Sequence, residues 1–392
     1  MSDRTISRKA AIVGIGATEF SKASGRSELQ LACEAVKTAI ADAGLQPSDV
    51  DGLTTFTMDL NPEIDVAEGV GLGNLSWFSR THYGGGASCA SVAQAAAAVA
   101  TGMAEVVVAY RAFNERSGNR FGTGRSEWAP SAEGVSWGWY LPHGFMTPAA
   151  WVAMVAQRYL HTYGHTPDDL GHVSVLARTY AATNPAAMMY RRPITLQDHH
   201  DSRWITEPLR LFDCCLETDG GQAIVVTTPQ RARDLPNSPA IITAATQASP
   251  VGQRQMTSFY DDPMDSLPEQ RLVARRLYEQ SGFGPDDIDA ANLYDAFSPL
   301  VLMQLEEYGF VKPGEAADFV ADGHCNIDGR LPTNTNGGQM GEAYLHGMNG
   351  IAEAVRLVRG TSVNQPAKDC TNVLVTAGLG VPSSGLILSR DD

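Results

Sequence analysis

One connection between a helix and a strand occurs twice in this 392-residue chain. The segments GLQPSDVDGLTTF and GFGPDDIDAANLY align without gaps. The aligned residues are Gly44 with Gly282, Pro47 with Pro285, Asp49 with Asp287, Val50 with Ile288, and Asp51 with Asp289. After each copy, a Gly-rich helix start leads to an apolar strand, EVVVAY in the first half and NVLVTAGLG in the second. We interpret the repeat as the duplication of one folding unit.

Helical and strand patterns alternate along both halves, which predicts an α/β fold. Residues 10–15 form the first predicted strand, and the helix that follows begins with the capping-box pair Ser27 and Gln30 and ends near Gly44. We place the division between the halves near residue 240. The first half then covers residues 1–240 and the second half covers residues 241–392.

A long insertion occupies residues 111–218 of the first half. It is rich in Trp, Tyr, Met and His, and its periodicity predicts helices over Trp151–Tyr163 and Pro167–Tyr180. An inserted segment of this size is a common place for substrate contacts, so we expect it to form a lid or a wall of the substrate site.

The composition excludes several classes of protein. Lys and Arg total 29 against 44 Asp and Glu, and the formal charge of −15 argues against a nucleic-acid binder, which needs a basic surface. No apolar run approaches the ~20 residues that span a bilayer, and the polar N-terminus lacks the apolar core of a secretion signal. The six cysteines form no C-x-x-C pair. We therefore expect a cytoplasmic enzyme with reduced thiols and no metal site.

Two shorter patterns are weak evidence for a cofactor or metal site. The pair Gly14 and Gly16 follows a strand, but the third glycine position of a dinucleotide-binding fingerprint is Glu19, so we exclude NAD binding. The adjacent His199 and His200 lack other ligands at metal-binding spacing, and we interpret them as part of a solvated turn.

Four loops carry the most specific patterns. They are the Gly-rich helix start at residues 84–86, the segment YDAF at 294–297, the segment NGGQMGEAYL at 336–345, and AGLG at 377–380. Together with the duplication, the insertion and the TDGG segment at 218–221, these loops resemble the thiolase superfamily. The closest branch is that of sterol-carrier-protein thiolases and the bacterial lipid-transfer-protein aldolases. The resemblance covers nearly the whole chain and implies a five-layered α-β-α-β-α fold made of two duplicated halves.

Each loop lacks the residue that reacts in a thiolase. The position of the nucleophilic Cys falls on Gly85, and the C-terminal loop has no second Cys. Tyr294 stands in place of Asn or His, and Tyr344 stands in place of the catalytic His. Because a glycine cannot be acylated, this combination excludes ordinary thiolysis.

A related reaction that needs no nucleophile is the retro-aldol cleavage of a β-hydroxyacyl-CoA, which requires a base, an acid and an oxyanion hole. Tyr294 and Tyr344 can supply the base and the acid, in either order. Free Tyr titrates at ~10, so an ionised Tyr at neutral pH would need a positive neighbour or a helix N-terminus to stabilise it. Alternatively, a neutral Tyr hands its proton on as the substrate gives up its own. The supporting residues that we predict are Gly85, Gly378 and Gly380, whose backbone amides are candidate oxyanion donors, and His346, with His82, as candidate stabilisers of charge.

The resemblance also implies a substrate and partners. The aldolases of this branch cleave a steroid 17-hydroxy-20-carboxyl-CoA to a 17-keto steroid and propionyl-CoA, in bacterial sterol side-chain degradation. CoA is part of that substrate, so no further cofactor is expected. A homodimer is implied, with the OB-fold/zinc-ribbon domain of a partner hydratase subunit bound near the active site.

Two other interpretations stay open at this point. In the first, the chain is a non-catalytic lipid or acyl-CoA binding protein that keeps the fold without the chemistry. In the second, it is a thiolase-like acyltransferase that uses Cys89, which lies four residues after Gly85.

Overall fold

The computed structural model describes residues 6–57, 59–118, 138–253 and 264–391, so residues 119–137 of the insertion lie outside the described residues. The strands are β1 (Ala11–Ala17), β2 (Gly52–Phe56), β3 (Trp77–Thr81), β4 (Val107–Asn114), β5 (Trp204–Thr206), β6 (Leu209–Arg210), β7 (Asp219–Thr227), β8 (Ala240–Ala248), β9 (Ala290–Asn292), β10 (Asn372–Ala377) and β11 (Ser383–Arg390). The α-helices are α1 (Glu28–Asp42), α2 (Glu63–Val70), α3 (Ser88–Ala100), α4 (Pro148–Tyr163), α5 (Pro167–Thr183), α6 (Leu196–Asp201), α7 (Pro229–Ala232), α8 (Pro268–Ser281), α9 (Ser298–Glu307), α10 (Ala316–Ala321), α11 (Gly338–Gly341) and α12 (Met348–Arg359).

Nine of these strands form one mixed sheet, whereas β5 and β6 form a separate ribbon. The order in the sheet is β3-β2-β4-β7-β1-β8-β11-β10-β9, so the first half of the chain supplies one side and the second half supplies the other. The halves meet where Ala11 and Ile12 of β1 pair with Ile241 and Ala240 of β8. The predicted α/β class is confirmed, whereas the domain boundaries at 1–240, 241–392 and 111–218 stay predictions.

Helices cover and separate the two sides of the sheet. Helix α1 packs on β1, β4 and β7, and α8 packs on β8 and β11. Helices α3 and α12 contact strands of both halves and therefore lie between them. This arrangement gives the α-β-α-β-α layers that the resemblance implied. In the part of the chain that the structure describes, no helix is long and apolar enough to cross a membrane.

The first helix begins and packs as its sequence predicts. Ser27 caps α1, because its hydroxyl accepts a hydrogen bond from the Gln30 N–H while the Gln30 side chain accepts one from the Ser27 N–H. Gly14 and Gly16 lie on the strand beneath it. A Cβ on either glycine would overlap the backbone of Ala39, so this pair allows α1 to lie directly on β1.

The repeated segment performs the same task in both halves. Each copy forms a short 3-10 turn and then a strand, β2 or β9, that runs parallel to β4 or β10. The Asp51 carboxylate accepts hydrogen bonds from the N–H groups of Glu105 and Val106, just before β4. The Asp289 carboxylate accepts them from Thr371 and Asn372, at the start of β10. The equivalent carboxylates therefore fix equivalent strands.

The insertion contains the two predicted helices, each somewhat longer than predicted. Helix α4 starts earlier because the Thr147 side chain caps it, and α5 packs against α9, α10 and α11. The interpretation of His199 as part of a solvated turn is wrong. His199 lies on α6, is fully buried, and has Nε2 2.9 Å from Oδ1 of Asp213, a buried carboxylate that provides its partner.

We predict that Asp51→Ala and Asp289→Ala each lower the free energy of unfolding by ~1–3 kcal/mol, because each leaves two backbone N–H groups without their acceptor. Thermal and chemical denaturation would measure the change. Asp286→Ala is the matched control, since this carboxylate is exposed and pairs with Arg330 at the surface. A loss in one half alone would contradict the equivalence of the two carboxylates.

Candidate active site

The fold brings Tyr294 and Tyr344 together. Tyr294 follows β9, and Tyr344 lies between α11 and α12. Their hydroxyl oxygens are 3.5 Å apart, and both side chains are buried. This distance is longer than the roughly 2.6–3.2 Å at which a proton passes between two groups, and such contacts commonly shorten when substrate binds.

Gly85 provides the space that Tyr294 occupies. Gly85 lies in the 3-10 turn Gly84–Ala87, immediately before α3. A Cβ placed on Gly85 would overlap the Tyr294 hydroxyl and would stand 2.5 Å from Cζ of the same ring. The phenol therefore fills the volume into which a side chain at position 85 would project. A Cys at position 85 and Tyr294 in this place exclude each other.

Polar side chains hold the backbone of both tyrosines. The Tyr294 N–H donates to Oγ1 of Thr376 at 2.8 Å, and the Gln304 side chain donates to the Tyr294 carbonyl at 2.8 Å. The Thr218 hydroxyl accepts from the Tyr344 N–H and donates to the Tyr344 carbonyl, both at 3.0 Å. The TDGG segment that begins at Thr218 therefore contributes directly to the position of Tyr344.

Asp295 connects the second loop to the third. Its buried carboxylate accepts hydrogen bonds from the N–H groups of Gln339 and Met340, and a Cβ on Gly338 would overlap it. Burial raises the pKa of Asp295 to about 6, although these backbone hydrogen bonds lower it. The sequence showed Asp295 next to Tyr294 but indicated no role for it.

His346 lies beside Tyr344 in a buried aromatic group. Its ring stacks on Phe113 at 5.3 Å and stands 4.9 Å from the Tyr344 ring. Nη2 of Arg111 lies 3.2 Å from Nδ1 of His346. A guanidinium can only donate, so Nδ1 accepts and the proton of the neutral ring is on Nε2. Burial and the charge of Arg111 lower the pKa of His346 well below its usual value, so His346 supplies no positive charge at neutral pH.

Arg111 is the buried cation that the sequence did not reveal. It is fully buried on β4, and its guanidinium lies 4.9 Å from the ring centre of Phe56 and 4.4 Å from that of Phe113. It also donates to the Thr57 carbonyl at 3.1 Å. Arg111 is an electrostatic neighbour of Tyr344, and its charge favours negative charge on that phenol. His82, the other predicted source of charge, is exposed.

Glu115 is a second residue near the tyrosines that sequence reasoning missed. Burial, with the nearby charge of Glu217, raises the pKa of Glu115 to about 9, so this carboxyl is protonated at neutral pH. It accepts a 3.4 Å hydrogen bond from the N–H of Thr218, the residue that holds Tyr344. Burial also raises the pKa of Tyr294 and Tyr344, so both are neutral phenols at pH 7.

Gly378 and Gly380, the two predicted oxyanion donors of the C-terminal loop, have different surroundings. Gly378 lies against the Gly-rich turn, since a Cβ on Gly378 would stand 2.7 Å from Cα of Gly86. The N–H of Gly380 already donates to the buried Glu269 carboxylate at 2.8 Å. We therefore correct the expectation for Gly380, because its amide is used within the protein.

Cys89 is a poor nucleophile in this structure. The side chain is fully buried within α3, and its thiol donates a long, 3.9 Å hydrogen bond to the Val375 carbonyl. Burial raises the pKa of Cys89 far above its usual value. In the part of the chain that the structure describes, no group of three or more His, Cys, Asp and Glu residues could hold a metal ion.

Comparison with known proteins places these features in a family. Residues 254–390 match the family model described as "Thiolase C-terminal domain-like". A "Steroid side-chain-cleaving aldolase" of Thermomonospora curvata is 65% identical over 97% of this chain and 98% of its own length. A "17-hydroxy-3-oxo-4-pregnene-20-carboxyl-CoA lyase" of Mycobacterium tuberculosis is 61% identical over 98% of this chain and 100% of its own length.

Comparison with solved structures points to the same family. The "Ltp2-ChsH2(DUF35) aldolase" superposes with a TM-score of 0.95 at 63% identity, and the match covers 99% of each chain. Human mitochondrial 3-ketoacyl-CoA thiolase superposes with a TM-score of 0.68 at 14% identity over 98% of each chain, which shows the same fold. This chain therefore belongs to the thiolase superfamily, in the branch of the steroid side-chain-cleaving aldolases.

Proposed function

We propose that this chain is a carbon–carbon lyase that cleaves a β-hydroxyacyl-CoA by a retro-aldol reaction. Its substrate is a steroid 17-hydroxy-20-carboxyl-CoA, and its products are a 17-keto steroid and propionyl-CoA. The observation that carries the proposal is the pair of buried tyrosine hydroxyls, 3.5 Å apart, with Tyr294 in the volume of the missing side chain at Gly85. The two relatives that are more than 60% identical carry names for this class of reaction.

The reaction needs only proton transfers around one breaking bond. One tyrosine takes the proton of the β-hydroxyl, the β carbon becomes the ketone carbon, and the electrons of the α–β bond pass into the thioester as an enolate. The other tyrosine then protonates the α carbon. Because both phenols are neutral at pH 7, we propose a relay in which the tyrosine that accepts the substrate proton passes its own proton to its neighbour as the neighbour gives its proton to the α carbon, so that both phenols are neutral again at the end. No bond to the protein forms.

The surroundings suit the transient negative charge of the enolate. Arg111 provides a fixed, buried positive charge, and the neutral ring of His346 lies beside Tyr344, with 4.9 Å between the ring centres. We propose that the backbone amides at Gly85 and Gly378 complete the oxyanion hole. Such donors are effective because they need no reorientation when charge develops. CoA arrives as part of the substrate, so we propose no resident cofactor.

We propose that the chain forms a homodimer through the free edge of β3. This strand lies at one end of the nine-stranded sheet. Exposed apolar side chains cluster there: Phe78 is 60% exposed and Leu60 is 64% exposed. Arg80 of β3 donates to the Asn61 carbonyl at 2.7 Å, which holds the Leu60 loop beside the strand. An open edge with an apolar patch is a surface that a second copy can cover.

A second partner and a cellular setting complete the proposal. The solved aldolase at 63% identity is named for two components, Ltp2 and ChsH2(DUF35). We propose that this chain binds the OB-fold/zinc-ribbon domain of a partner hydratase subunit near the active site. We also propose that it works in the bacterial cytoplasm, in sterol side-chain degradation.

We predict that Tyr294→Phe and Tyr344→Phe each lower kcat by about 10²-fold or more while KM changes little, because each removes a proton-transfer group. Release of the 17-keto steroid, measured with the partner domain present, tests this. Tyr278→Phe is the control, since that hydroxyl donates to the Tyr308 carbonyl away from the site. Wild-type rates in both variants would refute the mechanism, and tight binding without turnover by the wild type would favour a binding protein.

We predict that Glu115→Gln stabilises the protein at pH 8. Between pH 4.5, its ordinary pKa, and about 9, Glu115 is protonated when folded and ionised when unfolded, so its contribution to stability falls as the pH rises. Above about pH 9 its charge opposes negative charge on the tyrosines. The kcat/KM should therefore fall there in the wild type and fall less in Glu115→Gln. The exposed Glu19→Gln is the control, and identical pH profiles would contradict the prediction.

We predict that Phe78→Glu converts the dimer to a monomer, because a charge at the patch cannot be desolvated without a partner. Light scattering after size-exclusion chromatography would give the mass, and circular dichroism would check the fold. Val363→Glu, at a site that is 59% exposed elsewhere on the surface, is the matched control. A dimer that survives Phe78→Glu would show that another surface is used.

A further inference from the structure

A small polar cavity adjoins the two tyrosine-bearing loops, and the chemistry proposed above assigns it no role. We call it the amide cavity, because Asn292, Gln339 and Asn349 are among the residues that line it. Tyr294 itself and Gly350 of α12 also line it. The cavity therefore lies where strand β9 and helices α11 and α12 meet.

Five side-chain atoms of these amides have no hydrogen-bond partner among the described residues. They are Nδ2 and Oδ1 of Asn292, Nε2 and Oε1 of Gln339, and Oδ1 of Asn349. All three side chains are 2% exposed or less. Buried polar atoms are almost always hydrogen-bonded, because leaving them unpaired is costly. Several such atoms around one cavity indicate a bound polar ligand.

The surrounding charges point to a neutral ligand. The Asp295 carboxylate accepts from backbone N–H groups of α11, and the Glu342 carboxylate accepts from the side-chain amides of Asn336 and Asn349. Hydrogen-bond donors of the protein already occupy both carboxylates, so neither is left as a ligand for a cation. The unpaired atoms include two donors and three acceptors. Water both donates and accepts, and it fits a small cavity with several polar partners.

We propose that the amide cavity binds ordered water, held by Asn292, Gln339 and Asn349, and that this water positions the two tyrosine-bearing loops relative to each other. Asn292 lies two residues before Tyr294, while Gln339 and Asn349 lie on either side of Tyr344 in the chain. Water shared by the three amides therefore links the supports of both phenols. The three are positioning residues, and the kinetic consequence of the water rests on the proposed lyase function.

The substitution Gly350→Ala tests whether the water positions the two tyrosines or only stabilises the fold. A Cβ on Gly350 meets only Cβ of Asn292, at 3.5 Å, so the methyl group fits while taking space from the water. Alanine also favours the helix, so the midpoint of thermal unfolding should not fall. We expect kcat to fall at least about tenfold with KM changed less, because a small misplacement of reacting groups is costly. An unchanged kcat would overturn the positioning role.

Asn292→Leu tests the water itself and does not depend on steroid turnover. If the cavity is hydrated, the leucine removes partners of the water, and the midpoint of unfolding should fall. If the cavity is dry, replacing an unpaired buried amide by an apolar group of similar shape should raise the midpoint. A high-resolution crystal structure of the full chain should show a water oxygen within ~3.2 Å of Asn292 and Asn349. A raised midpoint, or no such density, would overturn the proposal even if the lyase activity is confirmed.

Discussion

Gly85 and Tyr294 compete for one volume, and the candidate active site depends on this steric exclusion. The phenol lies where a side chain on residue 85 would project. The same fold can therefore present a nucleophile from the start of α3 or a phenol from the loop after β9, but not both. The absence of a side chain at position 85 makes room for a phenol from the other half of the chain. The change in chemistry that we propose follows from this exchange of volume.

Burial then determines the charge of the groups around the two phenols. Glu115, His346 and both tyrosines are shifted towards their neutral forms, because a low-dielectric interior disfavours isolated charge. Arg111 remains the fixed cation, held between two aromatic rings. A site of neutral donors with one buried positive charge suits a reaction that creates a single negative charge for a short time and then removes it.

The duplication explains how residues from distant parts of the chain reach the same place. Helices α3 and α12 begin next to the candidate site and lie between the two halves of the sheet. Asp51 and Asp289 fix equivalent strands in the two halves through equivalent backbone hydrogen bonds. Loops at equivalent positions therefore converge, and the sheet continues across β1 and β8. Polar side chains such as Thr218 and Thr376 then set the backbone on which each tyrosine stands.

The sequence by itself was sufficient to predict the α/β class and the duplication, and the resemblance of four of its loops to those of the thiolase superfamily indicated Tyr294 and Tyr344 as candidate catalytic residues. These features are local, since periodicity, turn residues and loop motifs are contained in short segments. Only the tertiary structure revealed Arg111, Glu115 and the amide cavity, the engagement of the Gly380 amide by Glu269, and the burial of His199. Burial and hydrogen-bond partners depend on contacts between residues far apart in the chain, as with Arg111 and His346. Such contacts form only when the halves pack together, so no local pattern encodes them.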